Sequence, residues 1–278
     1  MQRRQRRIAI GIDLDSPHKH HTDVAGGILA YARQHDWECR FEPFIGPSPQ
    51  VLDRRGQYDG IIARVSRAAA DYVRRARIPT VNVWLGSPDR SLPRVVPDQH
   101  AAGRMAAAHL LERGFRRFGF LGYRRDYNSV LQLNGLQSAL AGTEYTCSAH
   151  TIPREPRNSQ VWHHLQESLV HWVNSWKTPI GVFATQDVTC RYLANVCLQM
   201  GLRIPDDVSL IACGLSELIC EHLYPPLTSI EHNFERIGYL AARLLDRLMA
   251  GATEPSPRST RRPQIRNGLN GFQAAALK

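Results

Sequence analysis

The sequence predicts an α/β fold of two doubly wound parallel-sheet lobes, on three observations. Residues 180–213 read strand, helix, strand in about 35 residues, the spacing of a parallel crossover unit. The first 122 residues alternate strand and helix about four times. The length, 278 residues, suits two lobes of ordinary size.

The elements follow in order. Ile8 to Ile12 is the first strand, and Asp13-Leu14-Asp15-Ser16-Pro17 is the loop past its end. Helical spacing runs from Thr22 to Gln34, Glu38 to Phe44 alternates like a strand, and Asp59 to Arg64 is a short buried strand entered from a turn. A helix over Ala68–Ala76 leads to a strand over Thr80–Trp84, and Val95-Val96 is a brief strand before Pro97-Asp98. The helix Gln99–Arg113 is rich in alanine, which allows close packing, and Arg116–Leu121 is the next strand. From Tyr123 the pattern gives helix Asn128–Leu140, strand Tyr145–Ile152, a turn-rich loop Pro153–Arg157 and helix Gln160–Trp176.

Ile180–Ala184 is then a buried strand, and Asp187 stands where its carboxylate can cap a helix. Val188, Tyr192, Val196 and Met200 recur every four residues and predict the buried stripe of that helix. Strand Val208–Cys213, the corner Pro225-Pro226 and helix Phe234–Ala250 complete the pattern. Gly251 to Pro257 reads as a linker, Gln264-Ile265-Arg266 as one last strand, and Gly268–Lys278 carries too little pattern to assign.

Composition narrows the function. The chain is 43% hydrophobic, ample for a core, and no apolar run approaches the roughly 18–20 residues that span a membrane. The basic start is followed by an apolar run too short for a signal segment, so a cytoplasmic protein is expected. Six dispersed cysteines without a C-x-x-C pair read as core thiols. The net charge of +10 permits nucleic-acid contact, and a basic solvated surface explains it equally well.

The sequence holds no nucleophile elbow, phosphate loop, dinucleotide fingerprint or zinc-protease motif, so no catalytic residue and no cofactor is expected. His18, His20 and His21 share a loop without a further ligand set, and no metal site is expected there. In open α/β sheets, ligands sit beyond the carboxyl ends of the strands. Those positions supply Asp13, Asp15, Arg64, Trp84, Asp98, Tyr123 and Asp187: acceptors and donors for hydroxyl groups, with aromatic faces for a sugar ring. Asp98 and Asp187 serve equally well as helix caps, and Trp84 as core.

Two segments resemble the effector-binding core of lac-repressor-type regulators, which has the periplasmic-binding-protein type I fold. One is VVPDQHAAGRMAAAHLLERGFRRFGFLG, Val95 to Gly122; the other runs from Thr178 to Gly251 and includes PPLTSIEHNFERIGYLAARLLDRLMAG. The resemblance covers about residues 8 to 266. It implies three crossovers, near Gly122-Tyr123, Pro226-Leu227-Thr228 and Thr253–Arg261. Residues 1–122 plus 229–256 would form the amino-terminal lobe, and 123–228 plus 257–278 the other.

It also implies a cytoplasmic homodimer that binds a small-molecule effector, a sugar such as xylose, in the interlobe cleft. The closed state would control operator DNA. Only seven residues precede the first strand, so the DNA-binding module is expected after the sensor, as an AraC-type domain outside this chain. A solute-binding protein for sugar transport is the alternative. Gln132 stands three residues before Gly135, where the family commonly has a clamping Arg, and Gly214 stands where it commonly has Asp. Gln132 joins the expected site because its amide still hydrogen-bonds.

Overall fold

The computed structural model describes residues 4–15, 19–46, 58–154, 158–214, 216–252, 258–261 and 264–266. From the amino end the chain forms β1 (Arg6–Gly11), α1 (Lys19–Gln34), β2 (Trp37–Phe41), β3 (Gly60–Ala63), α2 (Arg67–Ala76), β4 (Thr80–Asn82) and β5 (Arg94–Pro97). Next come α3 (Gln99–Glu112), β6 (Phe118–Tyr123), α4 (Tyr127–Leu140), β7 (Cys147–Ile152) and α5 (Ser159–Asn174). They are followed by β8 (Ile180–Ala184), α6 (Asp187–Gln199), β9 (Val208–Cys213), the short α7 (Glu217–Cys220) and β10 (Thr228–Glu231). The last elements are α8 (Phe234–Met249), β11 (Arg258–Arg261) and β12 (Gln264–Arg266). His18, Leu215 and the Gly268–Lys278 tail lie outside the described residues, as do parts of the Pro153–Arg157 loop and the Gly251–Pro257 linker.

The chain divides into two units, residues 1–97 with 233–261 and residues 98–232 with 262–278. Their sheets run β11-β5-β4-β3-β1-β2 and β12-β10-β9-β8-β6-β7. The pairings are parallel apart from β12, which runs antiparallel to β10. Leaving out the last strand of each, both units share one winding: the second strand lies outside the first, and the third to fifth follow on its other side. No sequence repeat announces this.

The expected boundaries shift. The chain passes between units at Pro97–Asp98, His232–Asn233 and Arg261–Arg262. The expected passages near Gly122-Tyr123 and Pro226–Thr228 are therefore corrected. Residues 98–122 belong to the second unit, where α3 packs on α4 and β6 is a central strand; β10 also belongs there. A βα segment reads the same whichever sheet it joins, so local pattern cannot place it.

Alternation along the strands builds the two layers of each core. In the first unit Ile8 and Ile10 pack with Ile28, Ile237 and Leu245 of α1 and α8, while Ala9 and Ile61 face Ala70 and Val73 of α2. In the second, Phe120 and Phe183 pack with Leu110 and Leu136 of α3 and α4, while Leu121 and Val182 face Leu169 and Leu193 of α5 and α6. Caps start the helices: Ser66, Asp98, Asp126, Asn158 and Asn233 each accept from the N–H three residues on. The buried face of α6 is Cys190, Leu193, Ala194, Val196 and Cys197, with Tyr192 and Met200 packed against the same core; of the expected stripe only Val188 is exposed. Four residues turn a helix by about 400°, so an i+4 row drifts by about 40° per step, and its first member here falls outside the buried face.

One helix pair in each unit touches backbone to backbone. A β-carbon on Gly27 of α1 would lie 1.7 Å from the Glu235 carbonyl oxygen of α8, and one on Gly238 would lie 1.9 Å from that of Val24. Gly103 of α3 and Gly135 of α4 repeat the arrangement against the carbonyls of Gln132 and His100, at 1.9 and 2.0 Å. Among the described residues no helix is long and apolar enough to cross a membrane.

The neighbouring glycines of α1 give a direct test. Gly27→Ala must push the helices apart and should destabilise the protein by about 1–3 kcal/mol. Gly26→Ala meets nothing within 4 Å and should stabilise it by up to about 1 kcal/mol through the unfolded chain. Urea unfolding of both variants measures the contrast; equal midpoints would refute the contact.

Candidate functional site

Each sheet reverses its winding beside its first strand, between β1 and β3 and between β6 and β8. The crevice past the carboxyl ends of such strands is where open α/β sheets take ligands. The expected site residues divide between the units: Asp13, Asp15, Arg64 and Trp84 stand in the first, and Asp98, Tyr123, Gln132 and Asp187 in the second.

In the first unit, Asp13 and Asp15 are exposed, and the Asp13 carboxylate accepts from the Asp15 N–H at 3.1 Å. The Asp13 backbone carbonyl lies 2.7 Å from Nδ1 of buried His21, in the first turn of α1. Arg64 follows β3. Its Nη1 bonds His21 Nε2, and its guanidinium carbon lies 5.2 Å from the Trp84 ring centroid. A cation over an indole face is attracted by the ring quadrupole. Trp84 lies two residues past β4, not within it. Buried Asn82 holds it by accepting from its N–H at 2.9 Å and donating to its carbonyl at 3.1 Å. Sequence reading missed His21 and Asn82 as supports: His21 gains its role from Asp13 and from Arg64, 43 residues away, and Asn82 from a local bond to Trp84 that residue pattern does not mark.

In the second unit, the amide of Gln132 is fully engaged and 1% exposed. Its Nε2 donates to Gln99 Oε1 at 2.7 Å, and its Oε1 accepts from Thr185 Oγ1 at 2.6 Å. Ser129 Oγ lies 3.0 Å from both Thr185 Oγ1 and Asp126 Oδ1, and its single hydrogen serves one of the two at a time. Asp126 also caps α4 and pairs with Arg154, whose guanidinium lies over the Tyr123 ring. Tyr123, the last residue of β6, donates to Gln186 Oε1 at 3.2 Å, and burial raises its hydroxyl pKa above the usual range. Asp98 caps α3, accepting from Ala101 N–H at 2.8 Å. Asp126 and Ser129 had a signal in the sequence, the cap spacing D-x-x-S; Thr185 and Gln99 had none.

Asp187 is not the cap of its helix. Gln186 holds that position, and Asp187 is the first helical residue. Its carboxylate instead accepts from Ser216 N–H at 2.6 Å and from Ser229 Oγ at 3.0 Å, tying β8 to the turn after β9 and to β10. Gly214 stands beside it with φ +135, and a β-carbon there would lie 3.0 Å from Asp187 Oδ2. A second carboxylate at 214 would therefore be strained and would meet a like charge.

Cys213 Sγ lies 3.2 Å from His232 Nε2, the spacing of a nucleophile and its base. Burial pushes the thiol up and the imidazole down to about 4, so both are neutral at pH 7 and no thiolate forms. Among the described residues no group of three or more His, Cys, Asp or Glu side chains is placed to hold a metal. What the strand ends offer is a rigid set of hydrogen-bonding groups beside aromatic rings.

Two predictions test this chemistry. Asp187→Asn leaves one acceptor where two are used and should cost about 1–3 kcal/mol, read by urea unfolding; an unchanged midpoint would show that the carboxylate ties nothing. His232 and His109 are both held neutral by burial, each pushed down to about 4, with Arg113 adding to the effect at His109. Unfolded histidine protonates near 6.5. The stability they contribute is therefore full above pH 6.5 and is lost as the pH falls toward 4. Between pH 7 and pH 5 each should cost roughly 1–2 kcal/mol. His109→Gln should flatten that slope, and an unchanged slope would contradict it.

Comparison with known proteins bears on the assignment. A family model described as a periplasmic binding protein-like domain matches residues 107–268. The xylose operon regulatory protein of Haemophilus influenzae is 26% identical over 202 residues, 69% of this chain and 51% of that protein. The HTH-type transcriptional regulator CelR of Thermobifida fusca is 30% identical over 213 residues, 75% of this chain and 55% of that protein. The chain thus spans about half the length of these relatives. The solved structure of the xylose-binding transcription activator xylR superposes with a TM-score of 0.78 at 22% identity, covering 95% of this chain and 69% of that one. That last likeness shows the fold.

Proposed function

Because this chain belongs to the periplasmic binding protein-like domain family, we propose that it is the effector-sensing part of a transcription regulator and that its effector is a sugar. The observation that carries the reading is the match over most of the chain to a xylose operon regulatory protein and to the transcriptional regulator CelR, joined to the polar and aromatic groups at the strand ends. Arg64 and Trp84 in the first unit are the proposed direct contacts, with Asp13 and Asp15 as acceptors for hydroxyl groups. In the second unit Tyr123, Gln186 and Asp98 are the proposed contacts. Gln132 and Asp187 act there by shaping the strand ends, since their polar atoms bond within the unit. We read the chain as a cytoplasmic binding module and not an enzyme, with DNA bound by a module outside it. Effector binding would shift the balance between two states only by its differential affinity for them.

A thermal-shift titration with D-xylose, D-ribose and cellobiose tests the reading. One of them should raise the melting temperature saturably, by on the order of 5 °C at a hundredfold excess over Kd. Trp84→Ala should remove that shift and keep a cooperative melt. No saturable shift with any sugar, or turnover of one, would sink the proposal.

A further inference from the structure

His21 is 3% exposed at the carboxyl end of the first unit's sheet. In the sequence it is merely one of three histidines in a loop. Its two ring nitrogens meet partners of opposite kind. Nδ1 lies 2.7 Å from the Asp13 backbone oxygen, and Nε2 faces Arg64 Nη1. A carbonyl oxygen only accepts and a guanidinium only donates. The two contacts therefore select one form of the ring: neutral, with hydrogen on Nδ1 and the lone pair on Nε2. The other tautomer would set N–H against N–H at Arg64 and lone pair against lone pair at Asp13. The cation would keep the clash at Arg64.

From this geometry we propose that His21 is the positioning residue of Arg64. The imidazole takes one guanidinium N–H, and the Trp84 ring lies under the group. Both supports are themselves fixed, His21 by the Asp13 carbonyl and Trp84 by Asn82. A long arginine side chain loses rotamer freedom on ordering; here that loss is made on folding, before a ligand arrives. Guanidinium has donors only, so the group it would take is an oxygen acceptor: a ring or hydroxyl oxygen of a sugar, or the carboxylate of a sugar acid. This rests on the sugar-effector reading for its ligand, while the hold of His21 on Arg64 stands without one.

The test has two arms on the full chain. Long-range proton–nitrogen NMR of the 15N-labelled protein at pH 7 reads the His21 ring directly. A protonated Nδ1 with a bare Nε2 is expected; hydrogen on Nε2, alone or on both nitrogens, would overturn the proposal. Calorimetric titration with D-xylose and D-xylonate is the second arm and separates a sugar from a sugar acid. Binding should weaken at least tenfold in His21→Leu, as in Arg64→Leu, and return to within threefold in His21→Gln, whose amide oxygen still accepts from Arg64. Equal binding by wild type and His21→Leu would also overturn it. Circular dichroism checks folding. If His21→Leu does not fold, the tautomer and the His21→Gln result decide. If neither compound binds the wild type, the sugar reading fails and the tautomer alone judges the positioning claim.

Discussion

The close approach of two helices in each unit is the constraint on which the rest depends. α1 crosses α8, and α3 crosses α4, with no room for a β-carbon at either crossing. In each pair one helix follows the unit's first strand, and the other begins where the chain has just passed over from the other unit. Direct backbone contact sets how deeply both lie on the sheet, and close-packed interiors transmit such a constraint to neighbouring groups. It reaches the strand ends through named residues. Gly103 rests on the carbonyl of Gln132, whose side chain joins Gln99 to Thr185. In the first unit, Gly27 lies in the same helix as His21, which faces Arg64.

The two strand ends share a winding and differ in chemistry. In the first unit the Arg64 guanidinium bonds His21 and lies over the Trp84 ring. The second carries a buried chain from Asp126 through Ser129, Thr185 and Gln132 to Gln99, complete within the unit. Buried polar groups left unpaired cost more than paired ones return, so each member of that chain depends on the next. Asp187 belongs to the same economy of acceptors. Its two oxygens bind the turn after β9 and β10, and its approach explains why a glycine stands at 214.

Much of this was legible from residue pattern. The alternation of strands and helices, the buried runs such as Ile8–Ile10 and Val182–Ala184, and the cap at Asp98 all carry short-range signatures, and the structure contains them. The strand-end positions of Arg64, Trp84 and Asp187 were legible too, because a loop after a buried strand marks a carboxyl end. Their partners were not. Whether Asp187 faces solvent, a ligand or Ser229 depends on a residue 42 positions away. The buried face of α6 was legible in large part: Leu193 and Val196 are core and Tyr192 and Met200 pack on it, while Val188, in the first turn, is exposed.

By itself, the sequence determined the kind of layers this protein builds and the places where its strands open, since apolar period and turn chemistry act over a few residues. Only the tertiary structure decided which sheet each strand joins, that the first division falls at Pro97 instead of Gly122, and that His21 bonds Arg64. These are pairings between segments tens to hundreds of residues apart. They are fixed by the mutual fit of surfaces and donors, and they leave no mark in any one stretch of the chain.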